Sequence, residues 1–192
     1  MHTPGIKDDL FIRGNVPMTK EEIRTLTLCK ASISPESIVL DIGAGTGSLS
    51  IESSLIASNG HVYAIEKNPE AIALIKQNAD KFNISDNLSI IEGTAPDALR
   101  SIDSYDIVLI GGSGGRLLDI LQTLYRKNPH MRIVINAISM ETIAELKEVL
   151  DTFPVEEEEI LQMQVSRVKK LLSYHLPQAE NPVWICSFTF RE

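Results

Sequence analysis

Apolar residues along the chain fall into two alternating rhythms. Runs at 37–42 (SIVLDI), 61–66 (HVYAIE), 88–93 (LSIIEG), 105–112 (YDIVLIGG) and 131–137 (MRIVINA) are short, rich in Ile and Val, and apolar on successive residues. They suit strands buried on both faces of a parallel sheet, because a strand with one wet face would alternate instead. Between them the period becomes helical over 46–58, 68–82, 115–127 and 139–153. Asn68 and Pro69 open the second of these helices with an N-cap and a proline at the first helical position, where its missing N–H costs nothing. Two later runs, 158–168 and 183–190, have no helix pattern between them and predict an antiparallel hairpin that completes the sheet. Ahead of the first strand, 19–32 reads as one amphipathic helix, with Thr19 as N-cap and Glu22 as its capping-box partner. The expected fold is α/β and Rossmann-like: a mostly parallel seven-stranded sheet with an antiparallel C-terminal hairpin. The expected organisation is a single domain, with an N-terminal segment and helix over 1–34, a βαβ core over 35–153 and the hairpin over 154–192.

Composition narrows the function. The 192 residues are 43% hydrophobic and 23% charged, which suits one globular domain with a substantial core. A net charge of −8 disfavours a wide grip on a nucleic-acid backbone, since that binding is driven by phosphate neutralisation. It leaves room for a small anionic substrate in a local basic pocket. No stretch has signal-peptide character or approaches the roughly 20 apolar residues that span a bilayer, so the expectation is a cytoplasmic protein with no membrane partner. Cys29 and Cys186 have no paired spacing, and the expectation is two buried, reduced thiols and no metal site. Glu156–Glu159 reads as a solvated surface run.

The informative turn follows the first strand. In VLDIGAGTGSLSIE, residues 39–52, Gly43, Gly45 and Gly47 recur at every second position. A phosphate loop would end in Gly-Lys-Ser/Thr, and here Ser48 and Leu49 follow Gly47. A dinucleotide fingerprint would place its third glycine where Ser48 stands. Asp41 at the strand end followed by G-x-G-x-G is instead the class I methyltransferase arrangement, in which glycines let the backbone approach the methionine part of S-adenosylmethionine. That assigns Asp41, Gly43, Ala44, Gly45, Thr46 and Gly47 to the cofactor. Glu66, closing the second strand, stands where a carboxylate would accept both ribose hydroxyls. Thr94 and Ala95, after the third strand, are small enough to edge an adenine ring. After the fourth strand, Gly111, Gly112, Ser113, Gly114 and Gly115 offer space for a bulky flat substrate and no general base. An electron-rich carbon needs positioning more than proton removal.

These residues carry a family resemblance. PMTKEEIR (17–24), DIGAGTGSLSIE, VYAIEKNPEA, EGTAPDAL, IGGSGG, VINAIS and SRVKKLLSYH (166–175) occur in the order and spacing of the cobalt-precorrin-6B C15-methyltransferase family, the decarboxylating enzymes of anaerobic cobalamin biosynthesis. The chain also resembles the C-terminal half of the larger aerobic-pathway precorrin-6Y methylase. The resemblance runs from Pro4 to about Pro182. It implies S-adenosylmethionine-dependent methylation of cobalt-precorrin-6B at C15 with loss of the C12 acetate carboxyl, giving cobalt-precorrin-7. It adds Thr19 to the cofactor site and implies a homo-oligomer, a tetramer in the family. The chain departs from the family at LLSYHL, 171–176, where relatives tend to carry a glycine-containing element at the substrate edge.

A precorrin carries many acetate and propionate carboxylates, and an acidic protein binds it only through concentrated local cations. Arg167, Lys169 and Lys170 form the candidate cluster, with Arg13, Lys20 and Arg116 as outer members. Asn136, ending the fifth core strand, and His175 are candidates for orienting the substrate or moving protons. The alternatives are a tRNA or protein methyltransferase on the same fold, or an inactive fold serving as an assembly module.

Overall fold

The computed structural model describes residues 3–84 and 86–191. Helix α1 (Glu21–Ala31) precedes the core, which runs β1 (Ile38–Ile42), α2 (Ser48–Ile56), β2 (His61–Glu66), α3 (Pro69–Lys81), β3 (Leu88–Glu92), β4 (Ile107–Ile110), α4 (Leu117–Lys127), β5 (Arg132–Ala137) and α5 (Met140–Thr152). Four strands follow: β6 (Val155–Met163), β7 (Ser166–Leu171), β8 (Tyr174–Ala179) and β9 (Val183–Phe190). The crossover from β3 to β4 carries only a 3-10 turn, Asp97–Ser101, in place of an α-helix.

The main sheet has seven strands in the order β3-β2-β1-β4-β5-β9-β6. Strands β1 to β5 pair in parallel, and β9 runs antiparallel to both β5 and β6. All four residues of β4 are buried, as expected of a central strand covered on both faces. Helices α4 and α5 cover one face with Leu117, Ile120, Leu121, Leu124, Leu146 and Val149, while α1 brings Ile23, Leu28 and Ala31 to the other. In α3 the Asn68 side chain accepts the Glu70 N–H as N-cap, and the buried positions Ala71, Ile72, Leu74, Ile75, Asn78 and Ala79 recur at helical spacing. No helix of the described residues is long and apolar enough to cross a membrane.

Three expectations are corrected. The run at 158–168 is not one strand: β6 ends at Met163, and the chain then forms a separate hairpin of β7 and β8, every residue of which is exposed. Lys20, not Thr19, is the N-cap of α1 and makes no side-chain cap bond; Glu22 is drawn away to the Arg167 guanidinium at 2.6 Å. Cys29 is exposed on α1, and only Cys186 is buried. The acidic run is exposed, as expected, with Lys30 bound to Glu159 and Arg132 to Glu157, where a bulge shifts the β6 register.

Candidate active site

A cavity of about 690 Å³ opens above the carboxyl ends of β1 and β4, where the strand order reverses direction. Open α/β sheets place ligands at this switch point because the loops on its two sides diverge. The turn after β1 is held down by its own amides: Gly43 and Ala44 donate to the Ile65 carbonyl at 3.0 and 3.1 Å. Gly43 adopts φ +73°, and a Cβ there would lie 2.8 Å from the Gly112 carbonyl oxygen. The two glycine-rich turns therefore touch backbone to backbone, which a side chain would prevent. Gly112 and Gly114 face open space.

Glu66 reaches this turn from the end of β2. Its Oε2 accepts the Gly45 N–H at 2.9 Å, and its Oε1 accepts the amides of Lys67 and Asn68 at 2.8 and 2.9 Å. The carboxylate thus shapes the loop as well as facing the cavity, and a carboxylate has acceptor capacity beyond these three bonds. Asp41 lies beneath, fully buried, with Oδ2 accepting the Ser50 hydroxyl at 2.5 Å. Burial pushes its carboxyl up to about 6; the Ser50 bond opposes that rise and the Glu66 charge adds to it. Asp41 Oδ1 and Thr46 Oγ1 are buried against the cavity with no hydrogen-bond partner among the described residues. Unpartnered buried polar atoms are costly and mark a place where a ligand completes the bonding.

Thr94 and Ala95 form one side of the cavity, and Val16, Pro17, Met18 and Thr19 of the N-terminal segment form another. Gly111, Gly112, Ser113 and Gly114 line it, with the Ser113 hydroxyl donating to Glu145 of α5 at 3.2 Å. Asn136 also lines it, its carboxamide 3.1 Å from the buried Thr27 hydroxyl, which donates to the Ile23 carbonyl at 2.7 Å. Gly47 sits just outside as N-cap of α2, and Gly115 lies beyond the loop's lining portion.

A second cleft of about 460 Å³ adjoins the first, sharing Lys20 and Glu180 with it. It gathers Lys7, Arg13, Lys20, Arg167 and Lys169 from the N-terminal segment and the hairpin, interleaved with the carboxylates of Asp8, Asp9, Glu21 and Glu180. Strand alternation explains the membership: Arg167, Lys169 and Gln178 share one face of the β7–β8 ribbon, while Lys170, paired with His175, takes the other. Lys170 and His175 therefore lie outside both cavities, exposed. Arg116 also turns away, to Asp97 and Asp119 at 3.3 and 3.6 Å. Within the cleft Arg167 is held by Glu22 and Glu180 at 2.6 and 3.2 Å, which raises its already high pKa. Sequence reasoning missed Lys7, Asn78 and Glu145; for Asn78 the signal was an amide on an otherwise apolar helix stripe.

Residues 9–189 match the family model described as a precorrin methyltransferase domain. The chain belongs to that family. A relative from Saccharolobus solfataricus, named a probable cobalt-precorrin-6B C(15)-methyltransferase (decarboxylating), is 39% identical over 188 residues, covering 96% of this chain and 94% of its own. Among solved structures, a precorrin-6Y C5,15-methyltransferase from Geobacter metallireducens superposes with a TM-score of 0.90 at 33% identity, over 98% of both chains. A precorrin 8W decarboxylase from Methanobacterium thermoautotrophicum gives 0.85 at 35% identity, over 97% of this chain and all of that one. The strand order is accordingly that of class I methyltransferases, and this precorrin methyltransferase is an enzyme of that fold.

Proposed function

We propose that this protein methylates cobalt-precorrin-6B at C15 with S-adenosylmethionine and removes the C12 acetate carboxyl as carbon dioxide. The carrying observation is the pair of joined cavities: one with Asp41 Oδ1 and Thr46 Oγ1 unpartnered beside Glu66, the other lined by Lys7, Arg13, Lys20, Arg167 and Lys169 among the carboxylates of Asp8, Asp9, Glu21 and Glu180. S-Adenosylmethionine supplies an electrophilic methyl group. Glu66 accepts its ribose hydroxyls, Thr94 and Ala95 border the adenine, Asp41, Thr46 and the 43–47 backbone receive the methionine end, and Thr19 closes over it. Lys7, Arg13, Lys20, Arg167 and Lys169 hold the carboxylates of the tetrapyrrole. The glycine turn at 111–114 admits the flat ring, and the Asn136 carboxamide orients it. Loss of carbon dioxide breaks the acetate C–C bond, its electron pair enters the conjugated macrocycle, and the exocyclic carbon takes up a proton. We place the enzyme in the cytoplasm as one domain and a homo-oligomer, a tetramer by family resemblance; Val168, Leu171, Leu172 and Tyr174, exposed on the hairpin, are apolar surface that association would cover.

Incubation with S-adenosylmethionine and cobalt-precorrin-6B should give a product that has gained one methyl and lost one carbon dioxide by mass spectrometry. Absence of both changes refutes the reading. The two cavities should also fail separately. Glu66→Ala should weaken S-adenosylhomocysteine binding by roughly ten- to a hundredfold and leave tetrapyrrole binding intact. Arg13→Ala with Lys169→Ala should weaken tetrapyrrole binding, flatten its salt dependence and leave S-adenosylhomocysteine untouched.

A further inference from the structure

The N-terminal segment 5–19 lies across α1, α2 and α3 and walls the first cavity, yet its only regular structure is a three-residue 3-10 turn at Asp8–Leu10. Its position is set by side chains of the core helices. Glu52 of α2 accepts the amides of Gly5 and Ile6 at 2.8 and 3.1 Å. Arg24 of α1, fully buried, donates to the carbonyls of Ile6 and Thr19, and its guanidinium lies 4.7 Å from the Phe11 ring centroid. Between these anchors stands Asn78. Its Oδ1 accepts the Ile12 N–H at 2.7 Å, and its Nδ2 donates to the carbonyls of Ile12 and Thr46, both at 3.1 Å.

Asn78 is fully buried in the apolar stripe of α3. A carboxamide there is costly unless its groups are bonded, and here the acceptor and both N–H donors are used. The two partners it joins both border one cavity: the strap that walls it and the loop carrying the unpartnered Thr46 hydroxyl.

We propose that Asn78 is a positioning residue that ties the N-terminal strap to the glycine loop, so that strap order and cofactor binding are thermodynamically linked. The proposal rests on reading the first cavity as the S-adenosylmethionine site. Linkage is reciprocal: a ligand that needs the strap in place must also hold it there.

The test combines calorimetric titration of S-adenosylhomocysteine with hydrogen exchange of peptides from residues 5–19, with and without that ligand. In the wild type, S-adenosylhomocysteine should slow strap exchange. Asn78→Ala should exchange the strap faster when unliganded, bind S-adenosylhomocysteine on the order of tenfold more weakly, and raise KM for S-adenosylmethionine more than it lowers kcat. Should Asn78→Ala fail to fold, Ile12→Pro carries the test: it deletes the N–H that Asn78 accepts and leaves α3 untouched. Phe11 already has the extended conformation (φ −86°, ψ 144°) that a following proline requires. Ile12→Pro should show the same coupled defect. Wild-type ligand affinity in a variant whose strap has loosened overturns the proposal while the cofactor reading stands. Failure of the wild type to bind S-adenosylhomocysteine overturns that reading and the proposal with it.

Discussion

Replacing Asp41 with Asn should change stability by an amount that depends on pH, in the variant's favour as pH rises. The carboxyl is fully buried and its pKa rises from 3.8 to about 6, chiefly by desolvation. A raised acid pKa means that the folded chain holds the proton more tightly than the unfolded chain. Folding is therefore penalised wherever Asp41 is ionised: hardly at all below about pH 4, increasingly between about pH 4 and 6, and fully above about pH 6. At about 1.4 kcal/mol per tenfold change in proton affinity, the full penalty is about 3 kcal/mol. Asn is neutral throughout and still offers Ser50 an acceptor. Whatever constant offset the substitution brings, the stability difference between variant and wild type should shift in the variant's favour by about 3 kcal/mol on going from about pH 4 to about pH 8. Urea unfolding followed by circular dichroism at both pH values measures it, with the m-value as a check that the unfolded state is unchanged. S-Adenosylhomocysteine affinity should fall in the same variant, because the unpartnered Oδ1 is no longer a charged acceptor. A stability difference that is the same at both pH values would refute the argument that burial raises the Asp41 carboxyl.

Gly43→Ala should lower the urea midpoint by an amount equivalent to roughly 1–3 kcal/mol, because the residue sits at φ +73° and the new Cβ would meet the Gly112 backbone at 2.8 Å; an unchanged midpoint would show that the two turns can part without cost. With a thiol reagent such as dithiobis-nitrobenzoate, the native protein should react at exposed Cys29 alone, since Cys186 is buried and its thiol is pushed up to about 12; the second thiol should appear only on adding denaturant.

The parallel core was legible because its strands are apolar on both faces, a pattern that no neighbouring element needs to explain. That Asp41, Gly43 and Glu66 meet at one cavity was legible because each stands at the carboxyl end of a strand of that parallel core. The β7–β8 hairpin was not: SRVKKL and YHLPQA bury nothing, so they carry no burial rhythm to read. The cation cleft was half legible, since Arg167 and Lys169 were named while Lys170 faces away by the pleat and Lys7 arrives through the folded N-terminal segment. The strap clasps were invisible because their partners are distant along the chain, Ile12 from Asn78 and Gly5 from Glu52. Thr19 had the chemistry of an N-cap, but its carbonyl accepts from Arg24 and the helix begins after Lys20.

The place of β9 between β5 and β6 has a consequence for how the chain is made. Translation delivers β6 before the neighbour it pairs with, and the hairpin is synthesised in the interval. Until β9 emerges, the outer backbone of β5 is an open template and β6 is an orphan with no place in the sheet. A nascent chain at that stage presents the kind of unpaired edge that recruits other strands. Assembly thus ends at the sheet edge, with β9 laid along β5 and bringing β6 into the sheet with it.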